Sequence, residues 1–359
     1  MLPLKKYNIK RYDLSEDKSL QAWSAADEYL LEAFNDMENK PNNLVIYHDR
    51  FGFLGSHLHQ EGPTLIVTNK SQEKAINSNL KANYLGPLKF ANPISSLENQ
   101  VDVALLKTPK SLGLFQLYLE QIVQYSSDEV TVVCAFMTRH FSSNILEIAN
   151  QYFEGVEQSK AVKKARLLVL TKKKKAVQQK LIHSITYNQM EYQQYLGVFS
   201  EGHIDYATQF FLENIELEEK DQNILDLASG NGIIGNEILK QQPDVEIHLM
   251  DDSFLAVESA KLNVKGENVH HHFNNELSIF ADETFDLIVS NPPFHFEHEI
   301  NIQVPLELFK GCCRCLKAGG KFQVVASRHL NFKTHLQRLF PQVEIIAEDK
   351  KFVIYRCMK

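Results

Sequence analysis

Four neighbouring residues combine an amide, two rigid rings and an aromatic face: Asn291, Pro292, Pro293 and Phe294. They directly follow residues 285–290, an apolar run typical of a buried strand. The amide oxygen and a carbonyl held by the prolines can accept both hydrogens of one planar amino group. The aromatic ring offers a face on which a base can stack. These four residues, called the acceptor motif below, therefore predict a site that directs an exocyclic NH2 group at an electrophile.

A glycine-rich turn upstream is suited to bind the group that supplies the electrophile. An apolar strand containing Asp226 leads into a G-x-G-x-x-G pattern at residues 230–235, and glycines let a ligand approach the backbone closely. Asp251 ends the next apolar strand, at the spacing of a ribose-binding acid. The glycines alone would equally suit a nicotinamide dehydrogenase. With the acceptor motif, the pattern resembles the S-adenosylmethionine-dependent Rossmann-like methyltransferases that act on amino groups.

Composition limits the class of protein. The chain of 359 residues is long enough for two domains, each with its own core. Its longest apolar run is far shorter than the ~20 residues that a membrane span needs, and it begins without the plan of a signal peptide. We therefore expect a cytoplasmic protein that does not span a membrane. Cys312, Cys313 and Cys315 crowd one helical turn and cannot converge on one zinc ion, so we expect no metal.

One stretch is strongly basic although the formal net charge is −7. Residues 159–190 contain no acidic side chain, which favours contact with a polyanion such as RNA. The alternative is a solvated linker, because runs of like charge repel one another. Residues 167–170 are typical of a strand, so we favour a basic strand end that contacts RNA. The residues predicted to do so are Lys163, Lys164, Arg166, Lys172, Lys173, Lys174 and Lys175.

The two halves of the chain look like two copies of one plan, about 180 residues apart. Residues 43–46 and 52–55 echo residues 223–226 and 232–235. The first copy lacks the chemistry, however, since Arg50 replaces the first glycine, Asn69 the ribose acid and residues 107–110 the acceptor motif. We predict an α/β fold with two tandem Rossmann-like methyltransferase domains formed by duplication. The first copy is then a degenerate scaffold that could bind RNA.

Nearly the whole chain resembles the large-subunit ribosomal RNA guanine-N2 methyltransferase G family, close kin of the small-subunit guanine-N2 methyltransferase C family. The resemblance rests on residues 20–31, 163–167, 291–295, 328–330 and 351–353. It implies methylation of the 2-amino group of one guanine in 23S rRNA by S-adenosylmethionine, with 23S rRNA as the partner of a monomeric protein. We expect a degenerate domain at residues 1–175, a linker at 176–195 and a catalytic domain at 196–359.

Each site residue has an expected role. Asn291 and Pro292 accept the two N2 hydrogens, Pro293 stiffens the loop and Phe294 stacks on the base. The residues expected to bind S-adenosylmethionine are Asp226 (amino-acid end), Gly230, Asn231 and Gly232 (backbone approach), Asp251 (ribose) and Asn275 (adenine edge).

Some positions depart from the family's pattern. Ala228 and Ser229 stand where the family has Gly-Cys, so a Cβ at 228 could crowd the donor or strain a turn that needs positive φ. Glu201, His203 and Ala207 also depart, in a segment that lies over the donor in the family that this chain resembles. These departures leave open a catalytically silent RNA-binding relative. The acceptor motif also leaves open a 16S rRNA guanine-N2, a DNA adenine-N6 or a protein glutamine-N5 methyltransferase.

Overall fold

The computed structural model describes residues 7–11, 21–175, 180–292 and 304–359, and the backbone alone of residues 295–296, 299–300 and 303. Pro293 and Phe294 of the acceptor motif lie outside the described residues. The chain divides into two compact units, Met1–Leu181 and Ile182–Lys359, called the N unit and the C unit below.

The N unit is built on a seven-stranded sheet. Its helices are α1 (Ala25–Asn35), α2 (Phe53–His57), α3 (Lys70–Ala82), α4 (Leu112–Tyr125) and α5 (Ser143–Tyr152). Its strands are β1 (Leu44–Tyr47), β2 (Thr64–Ile66), β3 (Lys89–Ala91), β4 (Val101–Lys107), β5 (Ser126–Met137), β6 (Phe153–Gln158) and β7 (Ala165–Lys173). The spatial order is β3-β2-β1-β4-β5-β7-β6. In this sheet β7 runs antiparallel to the other six strands.

The C unit begins with a hairpin of β8 (Ile182–Tyr187) and β9 (Met190–Tyr195). Its helices are α6 (Tyr206–Asn214), α7 (Ile233–Gln241), α8 (Phe254–Asn263), α9 (Gln303–Cys315) and α10 (Lys333–Leu336). Its other strands are β10 (Asn223–Leu227), β11 (Glu246–Asp251), β12 (Val269–Phe273), β13 (Phe285–Ser290), β14 (His295–Phe296), β15 (Glu299–Ile300), β16 (Leu316–Ser327), β17 (Gln342–Glu348) and β18 (Phe352–Met358). The large sheet has the order β12-β11-β10-β13-β16-β18-β17.

The two large sheets share one topology. Numbered from the start of each sheet, the strands lie in the order third, second, first, fourth, fifth, seventh, sixth in both units. The predicted α/β fold with two tandem Rossmann-like units is therefore confirmed. Their origin by duplication stays a prediction.

Alternating side chains give the C unit's sheet a core on each face. On β10, Ile224 joins one buried cluster, whereas Leu225 and Leu227 join the other, as the two-residue period of a strand requires. The first cluster includes residues of α6, α7 and α8, and the second includes Phe309 of α9. The sheet is thus covered on both faces. In such sheets, ligands bind in a crevice at the carboxyl ends of the parallel strands.

The hairpin occupies most of the stretch that the sequence suggested as a linker at residues 176–195. Residues 176–179 are outside the described part, but 182–195 pack onto the C unit. Tyr192 is buried, and its hydroxyl donates to Glu237 Oε1 at 2.5 Å. The Tyr195 N–H donates to Ser259 Oγ at 3.0 Å. These contacts with α7 and α8 make the hairpin part of the second unit.

The first helix has a defined start. α1 begins after Ser24. Ser24 and Asp27 form a capping box there, which marks the start of a helix. Within the described residues, we find no helix both long and apolar enough to cross a membrane.

Candidate active site

Four parallel strands bring the predicted site residues to one edge of the C unit's sheet. In the strand register, Leu227 lies opposite Met250 on one side and Ser290 on the other. Asp251 lies opposite Phe273 on the next pair. The glycine turn, the ribose acid, Asn275 and the acceptor motif therefore all begin at the carboxyl ends of neighbouring strands, where open α/β sheets bind ligands.

Asp226 is a fully buried acid with one oxygen available. Its Oδ2 accepts the Gly235 N–H at 2.9 Å, whereas Oδ1 is buried and has no hydrogen-bond partner within the described residues. Burial raises the pKa of Asp226 to about 7, the Gly235 hydrogen bond opposes this rise, and the charge of Asp251 adds to it. A ligand ammonium group would satisfy the orphaned oxygen and stabilise the ionised form.

The glycine turn has two kinds of glycine. A Cβ added at Gly230 would meet nothing within 4 Å, so this position leaves room for a ligand. A Cβ at Gly232 would lie only 2.7 Å from Val264 Cγ2, and φ there is +83°. Packing of the turn against α8 and the backbone conformation therefore both require glycine at position 232. The donor contact expected of its backbone stays a prediction.

Ala228 adopts the conformation in which an alanine is strained. Its φ is 61°, in the left-handed region that costs an ordinary residue roughly 1–2 kcal/mol. The turn therefore does need a positive φ at this position, the case in which an alanine was expected to be strained. Next to it, Ser229 Oγ is buried and without a partner among the described residues, so it is a further polar group that faces no protein partner.

Asp251 ties the turn to the next strand. Its Oδ2 accepts the Gly230 N–H at 2.9 Å, and its Oδ1 accepts the Ser253 N–H at 2.8 Å. Burial raises its pKa to about 6, although both of these hydrogen bonds lower it. Each carboxylate oxygen can accept a second hydrogen, which is what ribose hydroxyls would supply.

The two asparagines expected to contact the donor differ. Asn231 is buried, its Nδ2 donates to Gln194 Oε1 at 2.9 Å, and its Oδ1 accepts the Ile233 N–H at 3.3 Å. It therefore fastens the glycine turn to β9. Asn275 has a buried Oδ1 with no partner in the part of the chain that the structure describes, so its amide can still bind an adenine edge.

Asn291 is held by two residues that sequence analysis missed. Its Nδ2 donates to Asp205 Oδ2 at 3.1 Å and to Thr208 Oγ1 at 2.8 Å. Because a carboxylate only accepts, the amide nitrogen must face Asp205, which fixes the oxygen on the other side as an acceptor. Asp205 is itself the N-cap of α6. The only sequence signal was this capping aspartate before the helix.

The predicted basic residues fall at opposite ends of β7. Lys163 and Lys164 precede the strand, and Arg166 is its second residue, opposite Phe136 near the end of β5. Lys172 to Lys175 lie at the other end of this nine-residue strand, roughly 25 Å away at 3.3 Å per residue. Lys173 donates to the Ser126 carbonyl at 2.6 Å and Lys174 to the Asn150 carbonyl at 2.6 Å. The expected single basic patch is therefore two separate groups.

The histidines give the C unit a further cluster that sequence analysis did not find. Glu246, His248 and His270 each present a possible ligand atom, and these atoms lie within 4.8 Å of one another. The signal was weak because the two histidines belong to different strands.

The crevice fits S-adenosylmethionine on the evidence of its unpaired polar atoms. Buried oxygens of Asp226, Ser229 and Asn275 have no partner among the described residues, and open space lies beside Gly230. An amino acid with an ammonium group, a ribose and a base would supply the missing partners. Leaving such buried groups unpaired costs about 1–3 kcal/mol each, so a protein keeps them where a ligand binds.

Comparison with known families covers both units. A family described as "RLMG N-terminal domain" matches residues 1–175, and a "Methyltransferase small domain" matches residues 189–356. The chain is 32% identical to the ribosomal RNA large subunit methyltransferase G of Klebsiella pneumoniae strain 342, covering 96% of this chain and 94% of that protein. It is 29% identical to the protein of the same name from Pseudoalteromonas translucida strain TAC 125, covering 99% and 96%.

A solved structure has the same fold. The 16S rRNA N2 G1207 methyltransferase of T. thermophilus, in complex with AdoMet and guanosine, superposes with a TM-score of 0.76. It is 18% identical and covers 94% of this chain and 92% of its own. At this identity the likeness shows the fold alone.

Proposed function

Because this chain belongs to the ribosomal RNA large subunit methyltransferase G family, and is a methyltransferase that uses S-adenosylmethionine, we propose that it methylates the 2-amino group of one guanine in 23S rRNA. The observation that carries the proposal is the orientation of Asn291. Its nitrogen is bound by Asp205 and Thr208, which leaves its oxygen as an acceptor at the strand end beside the glycine turn. The acceptor and donor sites are thus adjacent.

The acceptor side works by positioning. The target guanine must leave its stack, at a cost of a few kcal/mol. The Asn291 oxygen and the Pro292 carbonyl then accept the two N2 hydrogens, so the nitrogen lone pair is drawn out of conjugation and points at the electrophile. Correct orientation of this kind can supply most of the rate enhancement. The N2 proton is lost after the new C–N bond forms, so no general base is required.

The donor side holds a charged ligand in a buried site. S-adenosylmethionine, when bound, supplies a methyl group activated by the sulfonium. Asp226 would bind the ammonium group with its unpaired Oδ1, Asp251 the ribose hydroxyls and Asn275 the adenine. Gly230 leaves the space into which the ligand fits. These roles agree with the orphaned oxygens found in the crevice.

The N unit is proposed to contact RNA through Lys163, Lys164 and Arg166. These residues lie beside the carboxyl end of β5. In the separate sheet of the C unit, the carboxyl ends of the strands carry the candidate active site. Lys172 to Lys175 lie at the opposite edge, and any contact that they make with RNA would be separate. We further propose that the protein acts as a cytoplasmic monomer.

The experiment that tests the proposal uses labelled S-adenosylmethionine with protein-free 23S rRNA, 16S rRNA and duplex DNA, followed by nucleoside mass spectrometry. We expect N2-methylguanosine from 23S rRNA alone. The Asn291→Ala variant should lose about 100- to 1,000-fold in rate, the effect of removing one preorganised polar group, and still bind donor in calorimetry. Transfer to 16S rRNA or to DNA would overturn the substrate assignment. No transfer and no donor binding would favour a silent RNA-binding protein.

A further inference from the structure

Three side chains converge on one face of β11 and β12, far from the crevice. Glu246 and His248 are two residues apart on β11, and His270 lies opposite His248 on β12. Glu246 Oε1 is 3.5 Å from His248 Nε2 and 3.2 Å from His270 Nε2. A carboxylate and two imidazoles on adjacent strands are thus directed at one point.

We propose that Glu246, His248 and His270 form a binding site for a divalent transition metal, Zn²⁺ in particular. Two imidazoles and one carboxylate are a common zinc ligand set that leaves a position open to water. With bonds of about 2.0–2.1 Å, two ligand atoms of a tetrahedral zinc are about 3.3 Å apart. The two distances to Glu246 are close to this value. All the ligand atoms lie within 4.8 Å of one another, and the His270 ring, which is 41% exposed and stacks on His248, must turn to bring the third pair together.

His272 would orient His248, the least exposed of the three ligands. His248 Nδ1 lies 2.9 Å from His272 Nε2, so one of the two nitrogens carries a proton. A proton on His248 Nδ1 leaves its Nε2 lone pair for the metal, the arrangement in which a neighbour fixes the tautomer of a histidine ligand. Edge-to-face contacts with Phe280 and Phe285 hold the His248 ring in place. This ligand is therefore preorganised.

The role of the metal would be structural. Glu246 begins β11 and Asp251 ends it, so the site and the crevice lie at opposite ends of the strand, roughly 17 Å apart. β12 is the edge strand of the sheet, and a metal bound by His270 would fasten it to β11. Metal binding should stabilise the fold by mass action without taking part in methyl transfer.

The test titrates Zn²⁺, by calorimetry, into the untagged full-length chain after treatment with a chelator, and repeats the titration with Co²⁺ as a spectroscopic probe. We expect one equivalent to bind, a cobalt visible spectrum typical of four-coordination, and a rise in Tm on zinc addition. All three readouts are independent of methyl transfer, so a failure of this proposal and a failure of the proposed function are distinguishable.

Variants locate the site. His270→Ala should weaken zinc binding at least 100-fold, and His272→Phe by about 10- to 100-fold through the lost orientation of His248. The matched control is His271→Gln, on the same strand, because His271 bonds the Val264 carbonyl instead, and it should bind zinc like the unmodified chain. Circular dichroism of the metal-free variants checks their fold. Absence of saturable zinc binding, or equal binding by His270→Ala, would overturn the proposal.

Discussion

In both units the first turn of a helix reaches the end of the fourth strand of the sheet, but with different side chains. In the N unit, Lys107 ends β4 and its Nζ donates to Asp27 Oδ2 at 2.8 Å, and the Asp27 side chain is only 3% exposed. In the C unit, Asn291 follows β13 and donates to Asp205 and Thr208 at the start of α6. An ion pair uses both of its groups, whereas the amide keeps an oxygen for a substrate. The contact in the N unit therefore leaves no amide oxygen for a substrate, whereas the contact in the C unit orients one.

The acids beneath the two glycine turns show the same contrast. Asp49 accepts the Gly55 N–H at 2.7 Å, much as Asp226 accepts that of Gly235. Burial raises the pKa of both acids to about 7. The Lys107 charge lowers the pKa of Asp49, whereas no protein cation acts on Asp226 among the causes found in the described residues. The charge of Asp49 is already opposed by a lysine of the protein. The charge of Asp226 is not, so Asp226 is suited to bind a cationic ligand.

The largest effect is expected from breaking the ion pair. Lys107→Met leaves Asp27 buried without its cation and should destabilise the N unit by about 3–5 kcal/mol. The single tryptophan, Trp23, stacks on Phe53 in this unit, so its fluorescence during urea unfolding measures the loss. Lys89→Met breaks an exposed pair with Glu98 and should cost no more than about 1 kcal/mol. Equal losses in the two variants would refute the contrast drawn above.

Donor binding should depend on the charge of Asp226. Because its pKa is about 7 and the donor's ammonium group needs the ionised form, affinity should fall about tenfold from about pH 8 to about pH 6. In Asp226→Asn the affinity should be low and lose this dependence, as calorimetry across this range would show.

The stability of the ligand-free protein should also depend on Asp226. The pKa of Asp226 in the folded protein lies above its unfolded value near 4, so the stabilisation that this group contributes is present below pH 4 and lost as the pH rises through 7. Asp226→Asn should therefore raise the Tm of the ligand-free protein at about pH 8, but not at about pH 4.

A flat affinity profile for the unmodified chain would mean that the ammonium group binds elsewhere. Measuring the binding of the donor without its amino group to both the unmodified chain and Asp226→Asn separates the two cases, since Asp226→Asn should not weaken its binding further if Asp226 is the partner of the ammonium group.

The orientation of Asn291 can be tested without removing it. Asp205→Asn retains a good helix cap but can present its own oxygen or nitrogen, so it no longer forces the Asn291 nitrogen to face it. We expect kcat to fall about tenfold, equivalent to about 1.4 kcal/mol, with donor affinity unchanged. As a control, Ser142→Ala removes the cap of α5 and should affect stability alone. An unchanged kcat in Asp205→Asn would show that the Asp205 carboxylate is not needed to orient the Asn291 amide.

The smallest effect concerns the strained turn. Ala228→Gly should stabilise the C unit by about 1 kcal/mol, since glycine adopts a φ of 61° without cost. His48 has a φ of 62° at the corresponding place after β1, but His48→Gly also removes the contact of the imidazole with Tyr118, so it should stabilise the N unit less. Only the C-unit change should also increase donor affinity. Thermal unfolding and calorimetry of both variants measure these effects, and destabilisation by Ala228→Gly would show that no strain is stored there.

Local patterns in the sequence were enough to predict the strands and turns of the crevice. The strand before Asp226, the glycine spacing and the strand ending at Asp251 each depend on a few consecutive residues. Side-chain partners could not be predicted in this way. Asn291 is 86 residues from Asp205 and 83 from Thr208, and only the packing of α6 on the sheet brings them together. The bond of the Asn231 side chain to Gln194, 37 residues away, likewise leaves no sequence pattern.

Strand geometry explains two further differences. A run of basic residues looks like one patch in a sequence, but an extended strand of nine residues separates its ends by far more than a side chain can span. The proposed zinc ligands show the opposite relation between sequence and structure. His248 and His270 are far apart in the sequence, but the register of β11 and β12 places them opposite each other.

The ion pair between Lys107 and Asp27 also constrains how the N unit can change over evolutionary time. Replacing either residue alone leaves a buried charge unpaired, at about 3–5 kcal/mol, which is a large part of the 5–15 kcal/mol that stabilises a typical domain. A change to a neutral amide at this place would therefore need both residues to change together, or a prior gain in stability elsewhere. Mutational drift is thus expected to preserve the ion pair.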